Sequence, residues 1–478
     1  MVASANHRWL ALALLSVVQF MIVLDIAIVN VALPSIQTDL GFSQENLQWV
    51  ISAYALVFGG FLLLGGRTAD IVGRRKLFLV GLGVFSVASL VAALAWNEPS
   101  LIGARALQGL GAAIIAPAAL SILMTTFTEG RERNIALGVW GAVGGFGAAA
   151  GVLMGGVFTD ALSWEWIFYI NIPVGLAAMA LAPVLLAESR DAAAASFDAP
   201  GAVLVTSGLV AAVFGITQAN EYGWTSIASI GIFAAAVALL AGFVVWELRA
   251  EEPLMSFSIF RIKTVAGANI AGFILGTALF SMFLMLTLYM QQVLGYSAMK
   301  TGIAYLAVAG TSIVWAMVAQ TLVTKVGVKP VLVTGMGLLT IGLVSFTQVS
   351  VGGSYVRDLL PGFLLTAAGM AFSFVSISIA ALAGVEARDA GLASGLINTS
   401  QQIGGALGIA VLSAVAIAQT NGAAGSGDTG AQALTNGFQA AFWVGVGVAA
   451  AGVLAALVLI RRDELETVPV GDPVPAAA

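Results

Sequence analysis

The sequence predicts an all-α polytopic membrane protein in which fourteen helices cross the bilayer. Composition is the first indication: 60% of the 478 residues are hydrophobic and only 9% are charged, whereas soluble domains carry about 25% charged residues. The second is that apolar segments recur at about the 20-residue length that a spanning helix needs. The third is that basic residues gather in alternate connections between these segments, as the positive-inside rule requires.

The fourteen segments are apolar runs separated by short polar connections. The first run is too long for the apolar region of a signal peptide, which covers about 7–15 residues, so we expect it to be retained as a helix. The predicted spans are residues 9–33, 47–65, 77–96, 100–124, 135–158, 166–186, 199–217, 227–247, 264–288, 301–324, 331–349, 359–383, 392–418 and 438–460.

Basic residues test both the number of spans and their orientation. If both termini are cytoplasmic, sixteen Lys and Arg residues fall inside, and only Lys300 and Arg357 fall outside. A missed or an additional span would exchange the sides of everything after it and remove this bias. We therefore expect a multi-pass protein with cytoplasmic N- and C-termini.

Two parts of the chain resemble each other weakly. DIVGRRKLFLVG (70–81) aligns with TKVGVKPVLVTG (324–335), and FGAAAGV (146–152) aligns with IGGALGI (403–409) in the same order. Two six-helix halves related in this way form a known transporter architecture. We predict an N-terminal half over 1–190, an inserted two-helix linker over 191–260, a C-terminal half over 261–462, and a disordered cytoplasmic tail over 463–478.

Two charges lie at membrane depth, Asp25 in the first span and Arg105 in the fourth. A charge there costs about 2.5–3.5 kcal/mol on insertion scales and indicates function by default. Burial favours a neutral Asp25 and a nearby Arg105 favours the carboxylate, so the pair could change protonation as a cavity changes sides. The alternatives are a permanent ion pair, a protonated Asp25 bonded to Asn30, and an Arg105 that extends to the headgroups.

The segment GRTADIVGRRK, residues 66–76, connects spans two and three. Its glycines permit a tight turn and close approach to another helix. Asp70 and Arg74 can pair with each other or with a neighbouring helix end. Anchoring by basic residues alone would not require this order of Gly, Asp, Gly and Arg.

Glycines recur every four residues along span five, at Gly147, Gly151 and Gly155, with Gly156 beside them. Small residues at this spacing let two helices approach closely. A static packing face and a sliding seam between the two halves both remain open, and they are not exclusive.

Side chains on the central helices are candidates for a substrate cavity, because aromatic and Met side chains suit irregular apolar ligands. Each could instead face lipid or pack within the protein, and we expect about half to do so. The candidates are Phe20, Met21, Asn30, Gln48, Trp49, Tyr54, Gln108, Phe280, Met285, Tyr289, Gln292, Asn398 and Gln402.

The chain contains no cysteine, and its single histidine, His7, precedes the first span. This composition excludes disulfides, iron–sulfur clusters, Cys-ligated zinc and a membrane-buried His metal site. A membrane-embedded enzyme would need a nucleophile–base pair or a metal cluster at membrane depth, and the sequence indicates neither. We expect no metal, no cofactor and no nucleic-acid partner.

Several ordered motifs resemble one family. LDIAIVNVALP (24–34), GRTADIVGRRK (66–76), RALQGLGAA (105–113), the span-five glycines and SWEWIFYINIPVG (163–175) are similar to motifs of 14-span drug:proton antiporters of the major facilitator superfamily, the EmrB/QacA type. YMQQVLGYSAMKTG (289–302) and GLINTSQQIGGALG (395–408) extend the resemblance into the second half. It implies the major facilitator fold, a bacterial cytoplasmic membrane and a monomer.

The resemblance also implies roles for particular residues. Asp25 matches the first-span acid that is linked to proton coupling or to cationic substrate, and Arg105 matches the fourth-span arginine of the proton relay. The span-five glycines match the antiporter motif. The residues that match the loop which latches the outward-facing state are Gly66, Asp70, Gly73, Arg74 and Arg75.

Two positions depart from the family pattern. Val152 stands where the antiporter motif usually has proline, which weakens an antiport prediction that rests on that motif alone. Glu165 stands where the family usually has arginine and places an acid at the extracellular mouth. Glu165 could pair with Arg357 or Lys300, attract cations, or be solvated, and we favour solvation.

The predicted function is proton-coupled export of drugs, antibiotics or other lipophilic small molecules by alternating access, which would confer multidrug resistance. Its partners are lipophilic or cationic substrates, protons and the lipid bilayer, and the proton gradient drives it without a cofactor. A narrow exporter of a metabolite or self-made antibiotic is one alternative. An uptake symporter or facilitator is another, because a fold does not fix the direction of transport.

Overall fold

The computed structural model describes residues 5–127, 131–190, 198–250, 253–254, 257–383, 385 and 390–461. The predicted tail over 463–478 lies outside the described residues, as does the beginning of the predicted linker at 191. The described part is helical and contains no β-strand. The domain limits predicted from the internal repeat stay predictions.

The helices are α1 (Ala5–Leu40), α2 (Trp49–Val72), α3 (Arg74–Ala93), α4 (Glu98–Thr126), α5 (Arg131–Ala161), α6 (Trp166–Tyr169), α7 (Asn171–Leu185), α8 (Ala199–Tyr222), α9 (Ile227–Glu247), α10 (Lys263–Leu288), α11 (Ala298–Val326), α12 (Val328–Phe346), α13 (Leu360–Ala380), α14 (Ala390–Gly425) and α15 (Gly430–Leu459). Single π-helical turns follow α10 at Tyr289–Val293 and precede α13 at Tyr355–Leu359. A 3₁₀ turn at Phe257–Arg261 precedes α10.

The predicted fourteen spans agree with these helices. Thirteen described helices are long and apolar enough to cross a membrane, with α6 and α7 forming one span, and α5 adds the apolar stretch Phe146–Ala161. The ends differ more than the number does. Helix α1 continues past Pro34 to Leu40, beyond the predicted end at 33, and α14 continues to Gly425, beyond the predicted end at 418.

The helices pack in two groups. Within the first group α1 packs on α5, and α4 packs on α2 and α3. Within the second, α10 packs on α14, and α12 packs on α13 and α15. The inserted helices α8 and α9 pack on each other, and α8 also contacts α2 and α14. The two groups meet where α2 contacts α14 and where α5 contacts α11.

Alternation of the spans gives the bundle two ends. We call the end with the 66–76 loop the loop end, and the opposite end the far end. At the far end the two groups are joined by hydrogen bonds: Gln291 Nε2 donates to Val31 O at 2.8 Å, and the Met299 backbone N–H donates to Asp160 Oδ2 at 2.8 Å. Gly156 lies so close to α11 that a Cβ there would be 2.7 Å from the carbonyl oxygen of Ala298.

Candidate functional site

The two charges predicted at membrane depth lie on neighbouring helices of the first group. Asp25 lies in the middle of the 36-residue helix α1, and Arg105 lies in the second turn of α4. A capping box fixes the start of α4, because the Asn97 side chain accepts from the Ser100 backbone N–H and the Ser100 hydroxyl accepts from the Asn97 N–H. This fixed start places Arg105 opposite α1.

Asp25 and Arg105 form a buried ion pair. Arg105 Nη1 lies 2.6 Å from Asp25 Oδ2, and the two side chains are 1% and 0% exposed. The attraction between the two charges offsets the free-energy cost of removing them from water only when further hydrogen bonds satisfy the remaining donors and lone pairs. The surroundings of the pair therefore decide whether it is stable.

Gln108 connects the two charges. It accepts from Arg105 Nη1 at 2.8 Å, while its own Nε2 donates to Asp25 Oδ1 at 3.1 Å and to Ser89 Oγ at 2.8 Å. Arg105 Nε donates to the carbonyl oxygen of Val50 at 2.9 Å. The guanidinium is thus bonded to α1, α2 and its own helix at once.

Asn171, the first residue of α7, supplies a third donor to the acid. Its Nδ2 lies 2.8 Å from Asp25 Oδ1, and the residue is 1% exposed. The carboxylate therefore receives N–H groups from Arg105, Gln108 and Asn171. Three donors of this kind satisfy the charged form of Asp25 without water.

Aromatic rings close the network on both sides of the guanidinium. Arg105 Cζ lies 4.5 Å from the ring centroid of Tyr54 and 5.7 Å from that of Phe168, within the range of cation–π attraction. The Tyr54 hydroxyl and the Asn171 Oδ1 are buried and have no hydrogen-bond partner among the described residues. Both oxygens can accept a hydrogen bond, so the network contains acceptors that a protonated Asp25 could use.

Two of the alternatives that the sequence left open are wrong in this geometry. The Asn30 side chain does not bond to Asp25, because its Nδ2 donates to the carbonyl oxygen of Ile26, one turn back on the same helix, at 3.1 Å. The snorkelling alternative for Arg105 is wrong as well, since the side chain is buried.

The 66–76 loop is held by the end of α7. Arg74 Nη2 lies 2.8 Å from Asp70 Oδ1, as the sequence allowed. Gly73 has φ +121°, a conformation that side chains disfavour. The Glu188 carboxylate accepts from the backbone N–H groups of Arg75 and Lys76, at 3.1 and 3.2 Å, and so satisfies the exposed start of α3.

Arg75, Arg74 and Gly66 of the loop make further contacts within the first group. Arg75 Nη1 donates to the carbonyl oxygen of Leu186 at 3.1 Å, and the Arg74 backbone N–H donates to that of Ser189 at 2.9 Å. A Cβ on Gly66 would lie in ordinary contact, 3.4 Å, from Pro117 of α4. The described loop contacts bind α2, α3 and α4 to the end of α7.

The contacts of the span-five glycines differ from a seam between the two halves. A Cβ on Gly151 would lie 2.7 Å from Ala27 Cβ, and one on Gly155 would lie 2.7 Å from the carbonyl oxygen of Ile28. Gly147 likewise faces Phe20 and Val23. These three glycines therefore pack α5 against α1 within one group. Only Gly156 of the four faces the other group.

Several predicted cavity residues face elsewhere. Gln48 donates to Thr217 Oγ1 of α8 at 3.0 Å, and Trp49 packs against Phe214, so both face the inserted helices. Tyr289 donates to the carbonyl oxygen of Ser350 at 2.7 Å inside the second group. The remaining predicted cavity residues that belong to hydrophobic cores or to the ionic network are Met21, Met285, Tyr54 and Gln108.

Among the other predicted cavity residues, Asn30 and Gln402 are buried and the rest are partly or fully exposed. Phe20 stacks on Phe146 at 5.7 Å between centroids, and Phe146 is 61% exposed. Gln402 lies against Gly59 of α2. The residues whose cavity role stays a prediction are Phe20, Asn30, Phe280, Gln292, Asn398 and Gln402.

The structure adds residues that the sequence reasoning missed. Asn171 and Ser89 join the ionic network, and Glu188 holds the loop. Asn171 lies inside the quoted motif SWEWIFYINIPVG, so a polar residue just before an apolar run was the available signal. An apolar cavity of about 430 Å³ between α8 and α9, lined in part by Val210 and Phe214, lies apart from the network.

Comparison with known proteins identifies the family. The sequence profile of the Major Facilitator Superfamily matches residues 15–409. The chain is 38% identical over 417 residues to the puromycin resistance protein pur8 of Streptomyces alboniger, covering 87% of this chain and 83% of that protein. It is 39% identical over 425 residues to the cephamycin export protein CmcT of Amycolatopsis lactamdurans, with 86% of each chain covered. It is 34% identical over 415 residues to the tetracenomycin C resistance and export protein of Streptomyces glaucescens, covering 85% and 76%.

Solved structures show the same fold. A bacterial homologue of the human lysosomal transporter Spinster, in an inward-facing and unoccupied conformation, superposes with a TM-score of 0.66 at 16% identity, covering 96% of this chain and 98% of that one. The nucleoside transporter NupG superposes with a TM-score of 0.66 at 13% identity, covering 95% and 99%. The multi-pass helical chain with its buried Asp25–Arg105 pair is a transporter rather than an enzyme, and it belongs to the major facilitator superfamily.

Proposed function

We propose that the protein exports lipophilic, antibiotic-like small molecules in exchange for protons. The observation that carries this proposal is the Asp25–Arg105 pair, in which every described bond to the acid comes from within one group of helices. A proton on Asp25 cancels its attraction to Arg105. The network then has to rearrange, and α1, α4 and α7 can shift against one another.

The cycle follows from which end of the bundle is closed. Hydrogen bonds join the two groups at the far end, whereas the bonds that Arg74 and Arg75 make in the 66–76 loop lie within the first group. These contacts support an inward-facing state in which the loop end is cytoplasmic, as the charge bias predicts. Protonation of Asp25 from outside would precede return to this state, and the proton would leave to the cytoplasm before cargo binds.

The driving force is sufficient for concentrative export. One charge that moves inward across the membrane is worth about 2.3 kcal/mol per 100 mV. That free energy biases export more than about tenfold before any pH gradient is added. No cofactor is needed, because the ion gradient supplies the free energy.

The cargo class is inferred from the relatives and from the central helices. Proteins 34–39% identical to this chain carry the names of puromycin, cephamycin and tetracenomycin C resistance or export. The three names refer to three different compounds, which supports a class of antibiotics rather than one molecule. A narrow exporter of one self-made antibiotic is the second candidate, because each of these names refers to a single compound.

The test is proton flux in proteoliposomes that contain the purified protein and an entrapped pH-sensitive dye. Under an imposed pH gradient we expect at least one compound from a panel of lipophilic cations and antibiotics to dissipate the gradient faster than in protein-free vesicles. A response to one compound alone favours the narrow exporter, and accumulation of cargo together with protons favours an uptake symporter. Cargo movement that is independent of the pH gradient would contradict antiport.

A further inference from the structure

A polar cavity of about 720 Å³ lies at the far end, between the two groups of helices. The end of α1 and the turn after α5 form one side, and residues just after α10 form the other. The side chains that decide its chemistry are Asp39, Thr159, Trp164, Glu165, Gln292 and Tyr296.

The N–H donors of this cavity are bonded within the protein. Trp164 Nε1 donates to Asp39 Oδ2 at 2.9 Å, and Gln292 Nε2 donates to Gln37 Oε1 at 3.1 Å. Several oxygen atoms, in contrast, receive no hydrogen bond. Glu165 Oε2, Gln292 Oε1 and Thr159 Oγ1 are buried and have no hydrogen-bond partner among the described residues. Buried acceptors without a donor are costly, and bound water, an ion or a ligand can satisfy them.

The two nearest candidate bases do not neutralise Glu165. Arg357 pairs with its neighbour Asp358, with Nε 2.8 Å from Oδ1. The Lys300 ammonium lies over the Tyr296 ring, 3.6 Å from its centroid. The predicted pairing of Glu165 with Arg357 or Lys300 is therefore wrong. The Glu165 side chain is half-buried and its Oε2 is enclosed, so solvent reaches only part of the carboxylate.

We infer that this cavity binds an organic cation of drug size at the outer mouth of the transporter. Two carboxylates, Asp39 and Glu165, together with the free amide and hydroxyl oxygens, attract positive charge. The volume lies in the range of small-molecule sites, about 300–1,000 Å³, and is many times the roughly 30 Å³ of one water molecule. No group of three potential metal ligands is found in the described residues, which argues against a bare metal ion.

An occupant of this cavity touches both groups of helices and therefore stabilises the closed far end. Cargo that has left the central path would rebind here from outside and slow the next outward opening. This consequence, unlike the binding itself, rests on the proposed export function. On this proposal the cavity is an outer binding site that selects cations by their charge.

The absence of cysteine from the chain permits a direct test. Leu162 lines the cavity and is 57% exposed, so Leu162→Cys places one thiol at its rim. The purified full-length variant in detergent would be labelled with N-ethylmaleimide, a neutral reagent. The labelling rate would be measured at increasing concentrations of tetraphenylphosphonium and, separately, of tetraphenylborate, an anion of the same shape.

We expect the phosphonium to slow labelling in a saturable way and the borate to leave the rate unchanged. Adding Glu165→Gln should raise the half-protecting concentration about tenfold, the effect of losing about 1.4 kcal/mol, while Asp428→Asn, at an exposed far-end turn outside the cavity, should not. Equal protection by both ions, protection that survives Glu165→Gln, or no protection would overturn the inference. The same assay on an Asp25→Asn background should still show protection, so failure of proton-coupled export and failure of this site are separate results.

Discussion

The chain holds its acids in two different ways. Asp25 is fully buried, receives donors from three side chains of the same helix group and is matched by one arginine. Glu165 lies at the boundary between the two groups, keeps a buried oxygen without a partner and is matched by no base among the described residues.

The difference suits Asp25 to a change of protonation and Glu165 to a constant attraction for cations. Neutralising Asp25 removes the partner of a buried charge, and under the proposed function this change is what moves α1 against α4. Neutralising Glu165 removes only an attraction for cations at the far end. We therefore propose that coupling belongs to the first region and charge selection to the second, and the variants below test whether they separate in this way.

The largest effect on stability should follow the loss of the Asp25 partner. Arg105→Ala leaves a buried carboxylate with only two amide donors and should cost about 3–5 kcal/mol, which thermal unfolding of the detergent-solubilised protein would measure. The double variant Asp25→Asn with Arg105→Ala should recover part of this loss. Arg357→Ala, which removes an exposed base, is the matched control and should not shift the transition. An Arg105→Ala protein as stable as wild type would refute the buried-pair account.

A smaller loss is expected at the residue that the sequence reasoning missed. Asn171→Leu removes one of three donors to the carboxylate and should cost about 1.5–3 kcal/mol. Proton flux should slow but persist, because Arg105 and Gln108 still hold Asp25. Complete loss of flux with unchanged unfolding would mean that Asn171 carries the proton itself rather than positioning the acid.

The smallest effect should come from packing inside the first group. A Cβ at Gly155 would lie 2.7 Å from the Ile28 carbonyl oxygen, so Gly155→Ala should cost about 1–3 kcal/mol through overpacking of α5 on α1. Gly103→Ala in α4, where no atom lies within 4 Å of the new Cβ, should be neutral or stabilising by about 0.5–1 kcal/mol. Equal unfolding temperatures for the two variants would contradict the close approach of α5 to α1.

The sequence predicts the spans and the ion pair well for a physical reason. Every spanning segment must be apolar along its length, so hydropathy alone finds it. Asp25 and Arg105 are the charges at membrane depth, and each needs a partner of opposite sign there. Neither prediction depends on knowing which face of a helix touches which neighbour.

The sequence does not predict which face of each helix contacts which neighbour. A spanning helix is apolar all round, so Gln48 and Trp49 carry no sign that they face the inserted helix α8 rather than a cavity. The glycines of α5 show that something approaches closely, but not that it is α1. Neutral amides such as Asn171 also occur in many spans without a common role, so only the packed fold assigns it to Asp25.

The most direct test of the coupling claim compares wild type with Asp25→Asn in sealed proteoliposomes, with Asp428→Asn as the control acid. The account predicts that a cargo compound dissipates the pH gradient in wild type and in Asp428→Asn, while Asp25→Asn gives the rate of protein-free vesicles and still binds the compound. Equal proton flux in all three proteins would contradict it, because coupling would then lie outside the buried Asp25–Arg105 network.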